Sequence, residues 1–406
     1  MIDAADTIQT VETASGQPSS ERPNQGKRFT VDGSEELETH LERTCRKALA
    51  GVQHLIPERK LEGLLLAGGY GRGEGGVLRT ETGDQPYNDL EFYVFLRGNN
   101  FLNEHRYQPG LQDLAEHLSP AARVEVEFKI LSLNKLRRSP VSMFYYDLVM
   151  GHRWLRGEEG LLSGCEHHRD AECIPLAEAT RLMMNRCSGL LLARERLERA
   201  EFSPGDADFV GRNLAKAQLA FGDTILTAFG RYDWSCLERH KRVNQLKVSE
   251  DLPWLSEVRR HYTSGVEFKF RPRRTDDSRR ALLDKHNELS SLGVQLWLWL
   301  ESRRLNCPFV SARDYACSSI NKCPETDGWR NRALNLKTFG WSALPGPRGS
   351  LYPRERVFHA LVWLLWQREK ADESELLRRV AGELRVVVGS FSDAVAAYTS
   401  LWRRFS

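Results

Sequence analysis

The sequence has no C-x-x-C pair, no long apolar run and almost no excess of one charge. Its eight cysteines are scattered and follow no recognisable secretory leader, so we expect reduced thiols in the cytoplasm. The two most apolar runs, at 292–300 and 358–366, fall far short of the ~20 residues that a membrane-spanning helix needs. We therefore expect no membrane partner. The net charge of +3 gives only weak overall attraction to polyanions.

The chain is long enough for more than one hydrophobic core. Its 406 residues predict two or three domains at ~100–200 residues each, and two is the working number. Residues 1–30 are polar and predict a disordered tail. Strand patterns then dominate 31–160 and helical patterns dominate 161–406, where a break near 306–351 would allow two sub-bundles. We predict an α+β fold, with a small mixed β-sheet domain followed by a mostly α-helical bundle.

The apolar periodicity predicts individual elements. An amphipathic helix follows Ser34, a plausible N-cap, and a helical stretch lies near 111–118. Strands are predicted at 61–67, 89–96 and 123–131. Later helices are predicted at 176–201, 206–229, 278–304, 354–370 and 374–404. Irregular stretches are predicted at 266–274, with a strand-like run over 266–270, and at 306–351.

A glycine-rich turn follows the first predicted strand, over 68–76. Glycines there let main-chain N–H groups converge, and such a concave row of donors binds phosphate oxygens. Arg72 in the middle of the turn could add a bidentate charged contact. The turn therefore predicts a triphosphate site.

Other phosphate-binding motifs fit this turn less well. Gly71, Gly73 and Gly76 satisfy G-x-G-x-x-G, but the dinucleotide fold needs a helix next, and residues 77–86 offer no apolar helical face. A Walker loop is excluded because no Gly-Lys-Ser or Gly-Lys-Thr follows. A protein-kinase loop lacks its His-Arg-Asp and Asp-Phe-Gly companions.

Two carboxylates occupy alternate positions at the start of the next strand. Strand alternation places Asp89 and Glu91 on one face, ~6.5–7 Å apart along the strand. A divalent cation would relieve their repulsion, and Mg²⁺ (or Mn²⁺) is the expected ion. The third strand carries Glu125 and Glu127 in the same pattern, and one of them could complete a metal-binding triad and act as a base. Alternating acids also occur on the solvated face of an antiparallel sheet, and this reading stays open for Glu125 and Glu127.

These residues resemble the DNA polymerase beta-like nucleotidyltransferase superfamily. Its pattern of a glycine turn, an acid-x-acid strand and a third acid is similar to Gly68-Gly69, Asp89-x-Glu91 and Glu127 here, with Glu125 as the alternative third acid. The segment 144–157 looks like the family's closing helix and strand. The resemblance covers about a third of the chain, mainly residues 60–157.

The resemblance implies a metal-dependent nucleotidyltransferase. It would move an NMP group from an NTP, ATP by default, to an acceptor (RNA, a protein or a small molecule), with release of pyrophosphate. Asp89, Glu91 and Glu127 would be both catalytic residues and metal ligands. The nucleotide would contact Gly68, Gly69, Tyr70, Arg72 and, from the helical domain, Lys216. The alternative is an inactive protein of the same fold that binds nucleotide or RNA or acts as an antitoxin-like partner.

Four other features have structural interpretations. Lys216 lies among alanines and leucines on a predicted helix, where a surface role and a nucleotide contact are equally favoured. The tryptophans in the apolar helical windows are expected in the core. The arginines of 271–280 could contact a polyanion, but a solvated loop is favoured. The His167-His168 pair and its nearby cysteines match no zinc pattern well.

Overall fold

A four-stranded mixed sheet organises the N-terminal part of the chain. The computed structural model describes residues 28–248, 251–275, 277–368 and 371–405. The strands are β1 (Leu61–Leu66), β2 (Val77–Thr80), β3 (Gly83–Pro86), β4 (Leu90–Leu96), β5 (Val126–Leu131) and β6 (Arg153–Arg156). The sheet order is β5-β4-β1-β6, with β4 and β5 parallel and the other pairs antiparallel. Strands β2 and β3 form a separate hairpin.

Helices make up most of the rest, so the described chain is a mixed α+β protein. In the first half they are α1 (Glu35–Leu55), α2 (Gly68–Arg72), α3 (Asn100–Ala122), α4 (Leu133–Arg138), α5 (Met143–Met150), α6 (Leu176–Leu197) and α7 (Pro204–Ala228). The second half contains α8 (Cys236–Gln245), α9 (Leu255–Phe270), α10 (Arg279–Leu305), α11 (Ala312–Cys317), α12 (Gly328–Phe339), α13 (Pro353–Trp366), α14 (Glu373–Leu384) and α15 (Phe391–Phe405).

Local signals in the sequence explain where several helices begin. The Ser34 hydroxyl accepts from the Leu37 N–H, and three glutamates occupy the first turn of α1, where they complement the helix dipole. Helix α7 begins with a capping box in which Ser203 and Asp206 satisfy each other's main-chain N–H groups. These signals confirm the predicted opening helix and the predicted start of the second long helix.

The sheet is covered on both faces. One face packs on α1 and α3 through residues such as Leu64, Phe92 and Phe128. The other packs on α4 and α5 through Leu65 and Phe95. Burial on both faces explains why β1 and β4 are nearly continuous apolar runs. The strands β1, β4 and β5 confirm the three strands that the sequence predicts. The expected closing helix and strand over 144–157 are α5 and β6.

The described residues beyond Leu176 are organised by helices around a second core. Trp297 and Trp363 are fully buried in it, as predicted for the tryptophans. Several predicted boundaries were wrong. The region 266–274 was expected to be irregular, but α9 covers it up to Phe270. Helices α11 and α12 lie within the expected loop 306–351. The expected helix 374–404 is divided into α14 and α15, because Arg385 adopts a left-handed conformation after Leu384.

The predicted tail was also too long at its C-terminal end. Residues 1–27 lie outside the described residues. Phe29 and Thr30 are buried, and Thr30 forms a β-bridge with Gly75. The Phe29 ring lies 3.8 Å from the guanidinium of Arg153. The segment from Arg28 onward therefore belongs to the sheet domain's packing.

Candidate functional site

Two neighbouring parallel strands bring the predicted acids together. Glu91 on β4 and Glu127 on β5 are register partners, so their side chains leave the same face of the sheet side by side. The next pair on that face is Tyr93 and Lys129. The sequence placed acids at alternate positions on both strands but did not show that the strands are adjacent.

Asp89 adds a third negative charge at the beginning of β4. It precedes Leu90, whose N–H donates to the Glu125 carbonyl across a distance of 2.9 Å. Desolvation raises the pKa of the Asp89 carboxyl, and repulsion from Glu125, Glu127 and Glu91 raises it further, whereas Lys216 opposes the rise. The four acids therefore share one electrostatic environment. Glu127 is the register partner of Glu91, and Glu125 remains within electrostatic range as the alternative third acid.

Lys129 is a site residue that the sequence analysis missed. Its ammonium lies 2.8 Å from Glu127 Oε2 and 3.5 Å from Glu91 Oε2. The Tyr93 hydroxyl donates to the same Glu91 oxygen, 2.9 Å away. Burial lowers the pKa of Lys129, but the two glutamates outweigh it and the net pKa is raised. Its position in the sequence could have revealed it, because Lys129 follows Glu127 by two residues and therefore lies on the same face of the strand.

The glycine turn is a short helix next to these acids. Helix α2 begins after Ala67, at the end of β1, and Gly68 has a φ of 66°. A Cβ atom on Gly68 would lie 3.7 Å from Glu91 Oε1, and one on Gly69 would lie 3.1 Å from the Glu74 carbonyl. The structure thus places Gly68 against the acidic group, in a helical turn rather than an open loop.

Tyr70 lies in the core instead of facing a ligand. Its side chain is fully buried, and its hydroxyl donates to the Gly76 carbonyl at 2.9 Å. The same oxygen accepts from the Tyr87 N–H at 2.8 Å. Tyr70 therefore connects α2 to the two ends of the β2–β3 hairpin, and the predicted nucleotide contact has no support in the geometry.

Arg72 also has an internal partner. Its Nη1 donates to Asp147 Oδ2 on α5 at 2.8 Å, and only 13% of its side chain is exposed. Burial lowers the pKa of Arg72, while Asp147 raises it to give a net increase. The Tyr232 hydroxyl donates to the same Asp147 oxygen at 3.3 Å. Arg72 is thus committed to the contact between the sheet domain and the helices, contrary to the predicted phosphate role.

Lys216 faces the acids from the helical side. It lies on α7 and keeps solvent access, although the surrounding helices partly desolvate it. That desolvation lowers its pKa, the positive charges of Arg186 and Arg212 lower it further, and Asp89 opposes the effect. Sequence analysis missed Arg186 and Arg212. Arg186 and Arg212 lie within electrostatic range of Lys216, which in turn lies within electrostatic range of Asp89. We call Arg186, Arg212 and Lys216 the cationic wall.

Glu74 connects the sheet domain to the helices that follow it. Its buried carboxylate accepts from the Ser235 hydroxyl at 2.7 Å and from the N–H groups of Cys236 and Leu237 at 2.9 and 3.2 Å. These groups form the N-terminus of α8, where a negative charge is favourable. A side chain from the glycine segment thus caps a helix of the C-terminal region.

The basic cluster at 271–280 is largely engaged within the protein. Arg271 pairs with Asp32, with 2.7 Å between Nη2 and Oδ2. Arg279 donates to the carbonyls of Leu197 and Arg199, both at 2.7 Å. These contacts favour the structural interpretation of the cluster over a polyanion-binding surface.

A second group of potential metal ligands lies away from the cleft. Within the described ranges, the His, Cys, Asp or Glu group whose ligand atoms all lie within 4.8 Å of one another is Glu257, His261 and Glu288. The guanidinium of Arg260 already pairs with Glu288 and lies 3.2 Å from His261 Nε2. Asp89, Glu91 and Glu127 do not meet that distance together, but Glu91 and Glu127 are close enough to share the Lys129 ammonium.

Comparisons of this chain with models of protein families, with curated proteins and with solved structures find no match. The resemblance to the polymerase beta-like superfamily therefore depends on the residues named above. Among the helices of the described ranges, none is long and apolar enough to cross a bilayer.

Proposed function

We propose that this chain is a metal-dependent nucleotidyltransferase that moves an NMP group from an NTP to an acceptor and releases pyrophosphate. The observation that carries the proposal is the register pairing of Glu91 with Glu127 beside Asp89 and the Gly68 turn. Residues 31–160 would form the catalytic domain, and the helices after it would cover the nucleotide.

The donor set fits Mg²⁺ or Mn²⁺. Asp89, Glu91 and Glu127 offer carboxylate oxygens, which these ions prefer. Desolvation raises the pKa of Asp89 most, and the neighbouring carboxylates raise it further by repulsion that a bound cation would offset. When bound there, the ion would offset the negative charge of the triphosphate and of the attacking oxygen.

The residues of the chain supply the remaining parts of the reaction. Lys216, which lies within electrostatic range of Asp89, would attract the phosphates, and the charge of Arg186 nearby would add to that attraction. The acceptor oxygen forms a bond to the α-phosphorus while the bond from that phosphorus to the pyrophosphate oxygen breaks. We assign Glu127 to accept the hydroxyl proton of the acceptor, with Glu125 as the alternative.

Label transfer tests the proposal. The purified chain is incubated with each α-labelled NTP and Mg²⁺ or Mn²⁺, alone and with RNA, protein and small-molecule fractions of a cell extract. We expect labelled acceptor and pyrophosphate, with ATP as the first nucleotide to test. Asp89→Asn, Glu91→Gln and Glu127→Gln should each reduce transfer by at least ~100-fold, as expected for lost ligands.

Glu116→Gln is the matched control, because Glu116 is an exposed carboxylate on α3, which packs on the face of the sheet opposite to Glu91 and Glu127. It should transfer label at the wild-type rate. Glu125→Gln separates the two candidates for the third acid. Absence of both label and pyrophosphate from the wild-type chain with every NTP would reject the proposal.

A non-catalytic module is the second candidate, and the Lys129 contacts favour it. An ammonium that already neutralises Glu91 and Glu127 would suit a protein that binds nucleotide or RNA, or pairs with a second protein as an antitoxin-like partner. This candidate predicts that calorimetry detects NTP binding while pyrophosphate release stays at the background level.

A further inference from the structure

We infer that Lys129 is an internal counterion that must leave Glu91 and Glu127 before a divalent cation can bridge them. The inference rests on the proposed function, because it concerns the same carboxylates. It assigns a role to a residue that the acid pattern of the family does not include. Lys129 would stabilise the cation-free protein and, by the same contacts, weaken cation binding at the site.

The contacts of Lys129 place its charge between the two acids. Nζ lies 2.8 Å from Glu127 Oε2 and 3.5 Å from Glu91 Oε2. These acids are direct neighbours across the β4–β5 pair, and Lys129 lies one step further along the same face. A cation that bridges Glu91 and Glu127 therefore competes with the ammonium for the same oxygens.

Tyr93 holds both partners of this arrangement. Its hydroxyl donates to Glu91 Oε2 at 2.9 Å, and its ring centroid lies 5.7 Å from Lys129 Nζ. Glu91 Oε2 thus receives two donors, whereas Glu91 Oε1 faces the Gly68 turn. The ring offers the ammonium a favourable surface when it moves off the carboxylates.

Repulsion between the Lys129 ammonium and a bound divalent cation requires Lys129 to move away from the carboxylates. A monovalent and a divalent positive charge at ~4 Å repel each other enough, even in water, to weaken binding on the order of ten-fold. About half of the Lys129 side chain is exposed, so it has room to swing into solvent. Its long flexible stem allows this movement without a change in the strand.

The test measures Mn²⁺ binding and stability without any nucleotide. Chelator-treated wild type and Lys129→Met are titrated with Mn²⁺, and free Mn²⁺ is followed by electron paramagnetic resonance. The variant should bind Mn²⁺ with a Kd lower by on the order of ten-fold. Without metal, its thermal midpoint should be lower than that of the wild type, because Glu91 and Glu127 then repel without a counterion.

Three further variants complete the design. Lys129→Arg keeps the charge and should keep the weaker wild-type affinity, and Lys129→Gln replaces Lys129→Met if the latter does not fold. Lys135→Met on α4 removes an exposed lysine elsewhere and should change neither quantity.

The outcomes separate this inference from the proposed function. Equal Kd values for wild type and Lys129→Met, in a wild type that transfers label, would overturn the inference alone. If no variant binds Mn²⁺ through Asp89, Glu91 and Glu127, both proposals fail.

Discussion

At the scale of single residues, burial decides what a polar side chain does in this protein. Tyr70 and Arg72 lie in a glycine-rich segment where a ligand contact was a reasonable expectation. Both side chains instead form hydrogen bonds inside the fold. The Tyr70 hydroxyl bonds to main-chain groups of Gly76 and Tyr87, and Arg72 bonds to Asp147. A buried polar group must find such partners, because leaving one unsatisfied costs ~1–3 kcal/mol. Lys216 and Lys129 differ from them because both side chains keep solvent access, although Lys129 pairs with Glu91 and Glu127.

His152 makes stability dependent on pH. Its ring is 1% exposed, and its Nδ1–H donates to the Leu148 carbonyl at 2.9 Å. Burial lowers the pKa of His152 from 6.5 to about 4. The unfolded chain therefore takes up this proton first, and the contribution of neutral His152 is complete above pH 6.5 and is lost as the pH falls towards 4. The loss amounts to ~3 kcal/mol of unfolding free energy.

Urea unfolding at several pH values measures this effect. His152→Gln keeps a donor for Leu148 but cannot be protonated, so its unfolding free energy should fall less steeply between pH 6.5 and 4. His117→Gln, at an exposed position on α3, should follow the wild type. Parallel curves for His152→Gln and wild type would show that His152 does not cause the acid sensitivity.

At the scale of elements, a long and regular apolar periodicity was sufficient to predict a helix, whereas the pattern of a short segment was not sufficient to distinguish a helix from a strand. Helix α1 combines a cap, acidic first-turn residues and a regular apolar stripe, and it was predicted correctly. The run 266–270 alternates apolar and charged residues like a strand. Its longer context shows buried Val258, Tyr262, Val266 and Phe270 at helical spacing, and tertiary burial selects α9.

The candidate site was likewise predictable where its signals are local and not predictable where it depends on tertiary packing. The sequence pointed to Gly68, Asp89, Glu91 and Glu127 as candidate site residues because turn and strand signals are local. The adjacency of β4 and β5, which pairs Glu127 with Glu91 and adds Lys129, depends on sheet order. The cationic wall depends on how α6 and α7 pack, and no pattern in a single sequence encodes that geometry.

Glu74 provides a prediction about one helix end. Glu74→Gln removes the negative charge from the N-terminus of α8 and turns an amide N–H₂ towards main-chain donors that need an acceptor. The unfolding free energy should fall by ~1–3 kcal/mol in urea titrations. Glu81→Gln in the exposed turn of the β2–β3 hairpin is the control and should unfold like the wild type. An unchanged Glu74→Gln would mean that the cap contributes nothing to folding.

At the scale of the whole molecule, the candidate site combines groups of opposite charge from two regions. The sheet contributes Asp89, Glu91 and Glu127, and the helices contribute the cationic wall. The Arg72–Asp147–Tyr232 contacts and the Glu74 cap fix the two regions against each other. Under the proposed function, the phosphates of a nucleoside triphosphate would be attracted to the cationic wall and its divalent cation to the acids.

A substitution of Lys216 therefore tests whether the helical side of the site contributes to nucleotide binding. Lys216→Met should raise the KM for the NTP by about ten-fold, with a smaller change in kcat, because it removes attraction for the phosphates. Lys47→Met on α1, which packs against the other face of the sheet, is the matched control. If Lys216 is purely structural, Lys216→Met will lower the free energy of unfolding without changing KM, and that result would show that Lys216 does not contact the nucleotide.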